Sequence, residues 1–150
     1  MKIVHTTLVV ETGAAVDIRN ITEPVQKVVA QSGIQNGVVT VYVRHTTAAI
    51  RINEQEDGFL KDLKRLLTQL VPEKGEYQHD DFATRDPGTM HGSEERCNGH
   101  AHLQQIIAGN TSETIPLRDG QLLLGEWQKI LLIELSDPRK REVVITVMGE

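Results

Sequence analysis

The chain has 150 residues, 39% apolar and 25% charged, with a net charge of -5 and only 3% aromatic residues. This is an ordinary globular composition of one-domain length, and it excludes disordered and fibrous classes. No apolar run approaches the ~20 residues of a membrane helix, and the acidic balance and few aromatics argue against a nucleic-acid surface or a base-stacking platform.

Met1 to Val10 alternates apolar and polar residues and carries His5 and two threonines. That suits a strand over Ile3 to Val10 and not a signal peptide. Thr22 with Pro24 opens a helix over Glu23 to Ser32, with Val25, Val28 and Val29 on one face and Gly33 as its stop. Val38 to Arg44 is rich in β-branched residues and predicts a strand. Asn53 followed by Glu56 resembles a capping box, and Phe59, Leu63, Leu66, Leu67 and Leu70 form a helical stripe that ends near Pro72. Gly58 weakens the first turn of that helix.

Glu73 to Cys97 has no periodicity and reads as a long loop, a feature often functional in a compact domain. Asn98 can cap a short helix running to about Ala108, with Gly109 as its stop. Strands follow at Thr111 to Ile115, Gln121 to Leu124, Gln128 to Leu135 and Glu142 to Met148. Arg118-Asp119-Gly120 turns between the first two, and Ser136-Asp137-Pro138 between the last two, which then read as a hairpin. Strands mixed with two or three helices, without regular βαβ alternation, predict a single α+β domain over residues 1–150. Cys97, the one cysteine, allows no internal disulfide and fits a reducing, cytoplasmic setting.

Chemistry points first to the six histidines. His45 leaves its strand with the parity of Val39, Val41 and Val43, His79 sits in the long loop, and His100 and His102 flank Ala101. Neutral imidazoles are common metal ligands, and three with one open position make a usual catalytic zinc shell. Helical residues two apart point about 200° apart, so His100 and His102 cannot share an ion if both are helical. Ordinary surface histidines are an equal reading, because no tight motif such as His-Glu-x-x-His is present. His5 and His91 take that plain reading.

Glu54, Glu56 and Asp57 are accounted for by compensation of a helix dipole. Glu134 lies in the apolar run Ile130 to Leu135 and needs a partner, which Arg139 or Arg141 can supply. That arrangement is either a structural ion pair or, with one arginine left over, a bidentate anion site. Trp127 reads as core or interface, and Cys97 as buried or incidental.

Taken together, several stretches resemble the YjbQ-like (UPF0047) family. They are His45-Thr46-Thr47-Ala48-Ala49, Asn53-Glu54 with Asp57, Tyr77-Gln78-His79, and Asn98-Gly99-His100-Ala101-His102-Leu103. Gly109 with Ser112 and Pro116, Gly120 through Gln128, and Glu134 through Arg141 complete the set, in family order over almost the whole chain. Where the family often reads Asp-Gly-Pro-Arg, this chain has Ser136-Asp137-Pro138-Arg139, and the loop Ala83 to Arg96 is individual.

The resemblance implies an α+β homotrimer with a pocket where His45, His79 and His102 converge and His100 and Glu54 lie nearby. It also implies a thiamine-phosphate synthase-like transferase, joining a pyrimidine diphosphate to a thiazole phosphate with loss of pyrophosphate. The expectation is therefore an enzyme acting on phosphorylated small molecules. His45, His79 and His102 would hold a divalent metal, zinc or, with substrate, magnesium. Glu54, His100, Arg139 and Arg141 would serve catalysis, the arginines by holding phosphate. A metal-dependent hydrolase is the alternative chemistry. A non-catalytic protein binding a metal or a phosphometabolite is the alternative class. No membrane or nucleic-acid partner is expected.

Overall fold

The computed structural model describes the backbone of residues 1–150 and every side chain except that of Ser93. Among the described residues the chain forms two antiparallel sheets and three α-helices, as the α+β expectation requires. The strands are β1 (Lys2–Glu11), β2 (Asp17–Asn20), β3 (Gly37–Val43), β4 (Ala48–Glu54), β5 (Ser112–Arg118), β6 (Gln121–Leu122), β7 (Gln128–Glu134) and β8 (Lys140–Gly149). The helices are α1 (Thr22–Ser32), α2 (Asp57–Leu70) and α3 (Gly99–Ala108). One sheet has the order β1-β8-β3-β5-β6 and the other β2-β7-β4.

The sheets face each other across the main core. Val39, Val41, Val43 and Val143, Ile145, Val147 of the larger sheet meet Ala48, Ile50, Ile130 and Leu132 of the smaller. Val25, Val28 and Val29 of α1 join the same core, and Gly33 ends that helix in the left-handed conformation at φ 70°. The outer face of the smaller sheet forms a second core, where Ala49 and Ile133 pack with Leu67 of α2 and Ala101 of α3. Central β7 is thus covered on both faces, which is why Ile130 to Ile133 is an unbroken apolar run rather than an alternating one.

Several expectations need correction. Two strands were not anticipated, β2 and β4. Asn53 lies in β4 and does not cap α2. Glu56 does, its carboxylate accepting from the N–H groups of Gly58 at 2.7 Å and Phe59 at 2.8 Å. Leu66 and Leu70 face solvent, so the buried seam of α2 is narrower than its leucine content suggests. The last two strands are not a hairpin: β7 and β8 belong to different sheets, and Ser136 to Arg139 carries the chain between them. Residues 73–97 contain three short 3-10 turns, at Gln78–Asp80, Pro87–Thr89 and Gly92–Glu94. Trp127 is 67% exposed and therefore not core, and Cys97 is exposed. Among the described residues, no helix is long and apolar enough to cross a membrane.

Candidate functional site

The crossover from β7 to β8 builds one wall of a polar cavity. Glu134 is fully buried at the end of β7, a position tolerable for a carboxylate only when its oxygens are satisfied. Arg141, 1% exposed, donates to it through Nε at 2.6 Å and Nη2 at 2.5 Å. The Thr12 hydroxyl and the backbone N–H groups of Leu135 and Ser136 complete its shell. Arg141 Nη2 also donates to Thr47 Oγ1 at 2.9 Å. Arg141 is therefore consumed by structure.

Arg139 is left over. Its Nε and Nη2 are buried yet make no hydrogen bond with the described residues. The Asp137 carboxylate approaches Nη2 only to 3.7 Å, while Arg96 holds that same oxygen at 2.7 Å. Burial, then repulsion from Arg141 and Arg96, lowers the Arg139 pKa, and the cation lacks the hydrogen bonds that would stabilise it.

The other walls come from the β3–β4 loop, the long loop and α3. Together with Arg139 they enclose a cavity of about 390 Å³. His45 enters from the β3–β4 loop, and its Nε2 accepts a long 3.4 Å contact from the Glu142 N–H. His79, on the Gln78–Asp80 turn, contacts Asp80 Oδ1 through Nδ1 at 3.1 Å. The same oxygen accepts from Gly99 N–H at 2.9 Å, tying the turn to the start of α3. Burial would raise the Asp80 carboxyl, but these hydrogen bonds outweigh it and hold the pKa below the usual range. The approach is so close that a Cβ at Gly99 would sit 2.7 Å from Cβ of Tyr77. As a result the His79 and His102 rings lie 4.5 Å apart. Arg85 secures the long loop, donating to the carbonyls of His79 and Thr89 and to Glu95.

Burial lowers the pKa of both His45 and His102, helped by Arg141 for the first and by His79 and Arg85 for the second. Both rings are consequently neutral at neutral pH, able to accept a proton or to ligate. His91, given a plain reading from sequence, also lines the cavity. No spacing signal marks it, because it arrives on the long loop, which has no periodicity.

His45, His79, His102, Arg139 and Arg141 line one cavity. His100 and Glu54 do not join them. His100 is on the other side of α3, as helical geometry requires, and lines a separate cavity of about 110 Å³. Glu54 pairs with Gln128 while Ala48 pairs with Glu134, so Glu54 stands at the far end of β4. Six residues at ~3.3 Å each put it ~20 Å from the Glu134 end of that strand. Among the described residues, no three His, Cys, Asp or Glu side chains converge as they stand to hold one ion. The donor chemistry of the adjacent His79 and His102 fits zinc, but His45 does not close a three-imidazole shell with them. A wider cavity of about 760 Å³ near Gln128 contains no histidine or arginine and has no orphaned buried donor in its wall.

The model of the family described as "UPF0047 protein YjbQ-like" matches residues 6–150. A UPF0047 protein of Methanothermobacter thermautotrophicus is 33% identical over all of this chain and 95% of its own length. One from Archaeoglobus fulgidus is 36% identical over 94% of this chain and 98% of its own. The crystal structure of a YbjQ-like protein of unknown function from Sulfolobus solfataricus P2 superposes with a TM-score of 0.85 at 31% identity, covering 99% of each chain. A hypothetical protein from Aeropyrum pernix K1 gives 0.82 at 32%, over 97% of this chain and 98% of that one.

Proposed function

The chain belongs to the YjbQ-like UPF0047 family, and from that premise we propose that it is an enzyme acting on a phosphorylated small molecule held in the cavity around Arg139. One observation carries the reading: a half-buried guanidinium, two of whose nitrogens are buried and unpartnered, beside neutral histidines. An arginine fork matches two phosphate oxygens, and a charge-assisted bond to phosphate would supply what Nε and Nη2 lack. Arg44, Arg85 and Arg141 also line the cavity, but each is paired with a carboxylate, Glu142, Glu95 and Glu134 respectively, so the positive charge available to an anion is that of Arg139. His102 and His45, neutral at rest, can take a proton from an attacking group and return it to the leaving group. Group transfer between phosphorylated substrates fits this chemistry, with hydrolysis as the variant in which water attacks. A partner subunit is part of the proposal, because the chain exposes apolar side chains on α2 and α3.

The His79–His102 pair supports a second reading, in which a divalent metal assists. Zinc would take the two rings, and His79 is already oriented by Asp80. Such an ion, when bound, polarises a phosphoryl oxygen.

A turnover assay with phosphate monoesters and with a pyrimidine diphosphate plus a thiazole phosphate tests the enzyme reading, by release of phosphate or pyrophosphate. His102→Gln should slow release by about 10²–10⁴-fold while ligand binding persists. Elemental analysis of the same preparations tests the metal: His102→Ala should lose more of it than His91→Ala. If no substrate is turned over while pyrophosphate binds, the protein is a binding module.

A further inference from the structure

One carboxylate does not fit an anion cavity. Glu95 lines the space around Arg139, and its side chain is only 14% exposed. A negative charge at that place opposes a bound phosphate, so it stands there for another reason. Its hydrogen bonds supply the reason. Oε1 accepts from Arg85 Nη1 at 3.0 Å, and Oε2 accepts from the backbone N–H of His91 at 2.8 Å. These donors, the His91 N–H foremost, hold the Glu95 carboxyl below the ordinary carboxylate range. Gly92, at φ 63°, turns the chain sharply enough for Glu95 to reach back four residues. Arg85 in turn donates to the carbonyls of His79 at 3.1 Å and Thr89 at 2.8 Å. A carboxylate and a guanidinium thus tie the backbone of His91 to that of His79.

What this anchoring positions is the exposed His91 ring. His91, Glu95 and Arg139 line the cavity of about 390 Å³ and also an adjoining one of about 660 Å³, whose wall continues with Glu94 and Arg96. The three shared residues form the boundary between the two spaces. An imidazole N–H is therefore stationed beside Arg139, where it can donate to an oxygen of the same anion. Given the phosphate cavity proposed for Arg139, on which this rests, we propose that His91 is a second phosphate-binding residue and Glu95 its positioning residue. Glu95 acts through the backbone of His91 and touches no phosphate itself. Its repulsion of the anion is muted by the pairing with Arg85.

Calorimetric titration with pyrophosphate tests this, because charge and position change affinity in opposite directions. Deleting the carboxylate frees Arg85 and makes the cavity more positive, so Glu95→Ala would tighten binding if Glu95 acted by charge alone. Because it holds His91, Glu95→Ala is expected to bind about tenfold more weakly than the wild type, as is His91→Ala, with the double variant no weaker than either. Glu95→Gln keeps an oxygen for the His91 N–H and loses the charge, so its affinity should equal or exceed that of the wild type. Circular dichroism checks the fold of each variant, and exposed His91 gives one whose folding is not at stake. The proposal alone is overturned if Arg139→Gln loses binding while His91→Ala or Glu95→Ala retains it, or if the two losses add in the double variant. No binding by the wild type overturns the phosphate cavity along with it.

Discussion

At the scale of single residues, two histidines set how the molecule answers acid. Burial holds the pKa values of His45 and His102 below the ordinary histidine value. Above about pH 7.5, roughly a unit over the ordinary histidine value of about 6.5, both are neutral, folded or unfolded, and contribute no pH dependence. As pH falls through the ordinary value the unfolded chain takes up protons that the native state refuses, so stability declines through the window down to the lowered native values. Urea midpoints measured from about pH 7.5 to pH 5 should therefore fall, and His102→Gln should flatten the decline. An equal slope in the variant would mean that His102 is not held neutral by its surroundings. Some of this scale is legible in the sequence. A carboxylate inside Ile130 to Leu135 demands a partner, and helical geometry separates His100 from His102. Which arginine pairs with Glu134 is not legible, because that depends on how the chain passes between sheets. Glu54 fails as a site residue for the same kind of reason: strand direction, not motif membership, decides what it is near.

Elements are held in register by the buried ion pair. Glu134 ends β7, Arg141 lies in β8, Thr47 precedes β4 and Thr12 follows β1, and one hydrogen-bonded group joins them all. Removing one partner strands a charge in the interior. Arg141→Met is expected to destabilise the fold by about 3–5 kcal/mol, whereas the double variant Glu134→Leu with Arg141→Met recovers most of that loss. Denaturant melts decide the matter, and a double variant as unstable as the single would show that the network matters for more than charge balance. Strand β4 is not legible because it opens on Ala48-Ala49, which carry little strand signal, and Asn53 near its end mimics a helix cap. The crossover escaped because Ser136-Asp137-Pro138 has ordinary turn chemistry. Turn residues report a change of direction, but not whether the next strand pairs with the last one or joins the facing sheet.

The whole molecule leaves apolar surface uncovered. Leu103, Ile106 and Ile107 recur at helical spacing on α3, with Ile106 77% exposed, and Leu66 and Leu70 are exposed on neighbouring α2. We propose that these exposed side chains pack against further copies of the chain, in the trimer that the family resemblance implies. Light scattering at micromolar concentration should give three times the chain mass of 16.7 kDa, and Ile106→Lys should dissociate the assembly. A wild-type mass equal to one chain would remove any role for partner subunits.

Arg139, released from structural duty by Arg141, is proposed to make the cavity an anion site. Calorimetric titration with pyrophosphate at low ionic strength tests it most directly, comparing the wild type, Arg139→Gln and, as a control, the exposed Arg118→Gln. Loss of charge-assisted hydrogen bonds of about 1.5–3 kcal/mol predicts binding roughly ten- to a hundredfold weaker in Arg139→Gln, with Arg118→Gln matching the wild type. Equal affinity in the wild type and Arg139→Gln, or no binding in the wild type, would contradict the account.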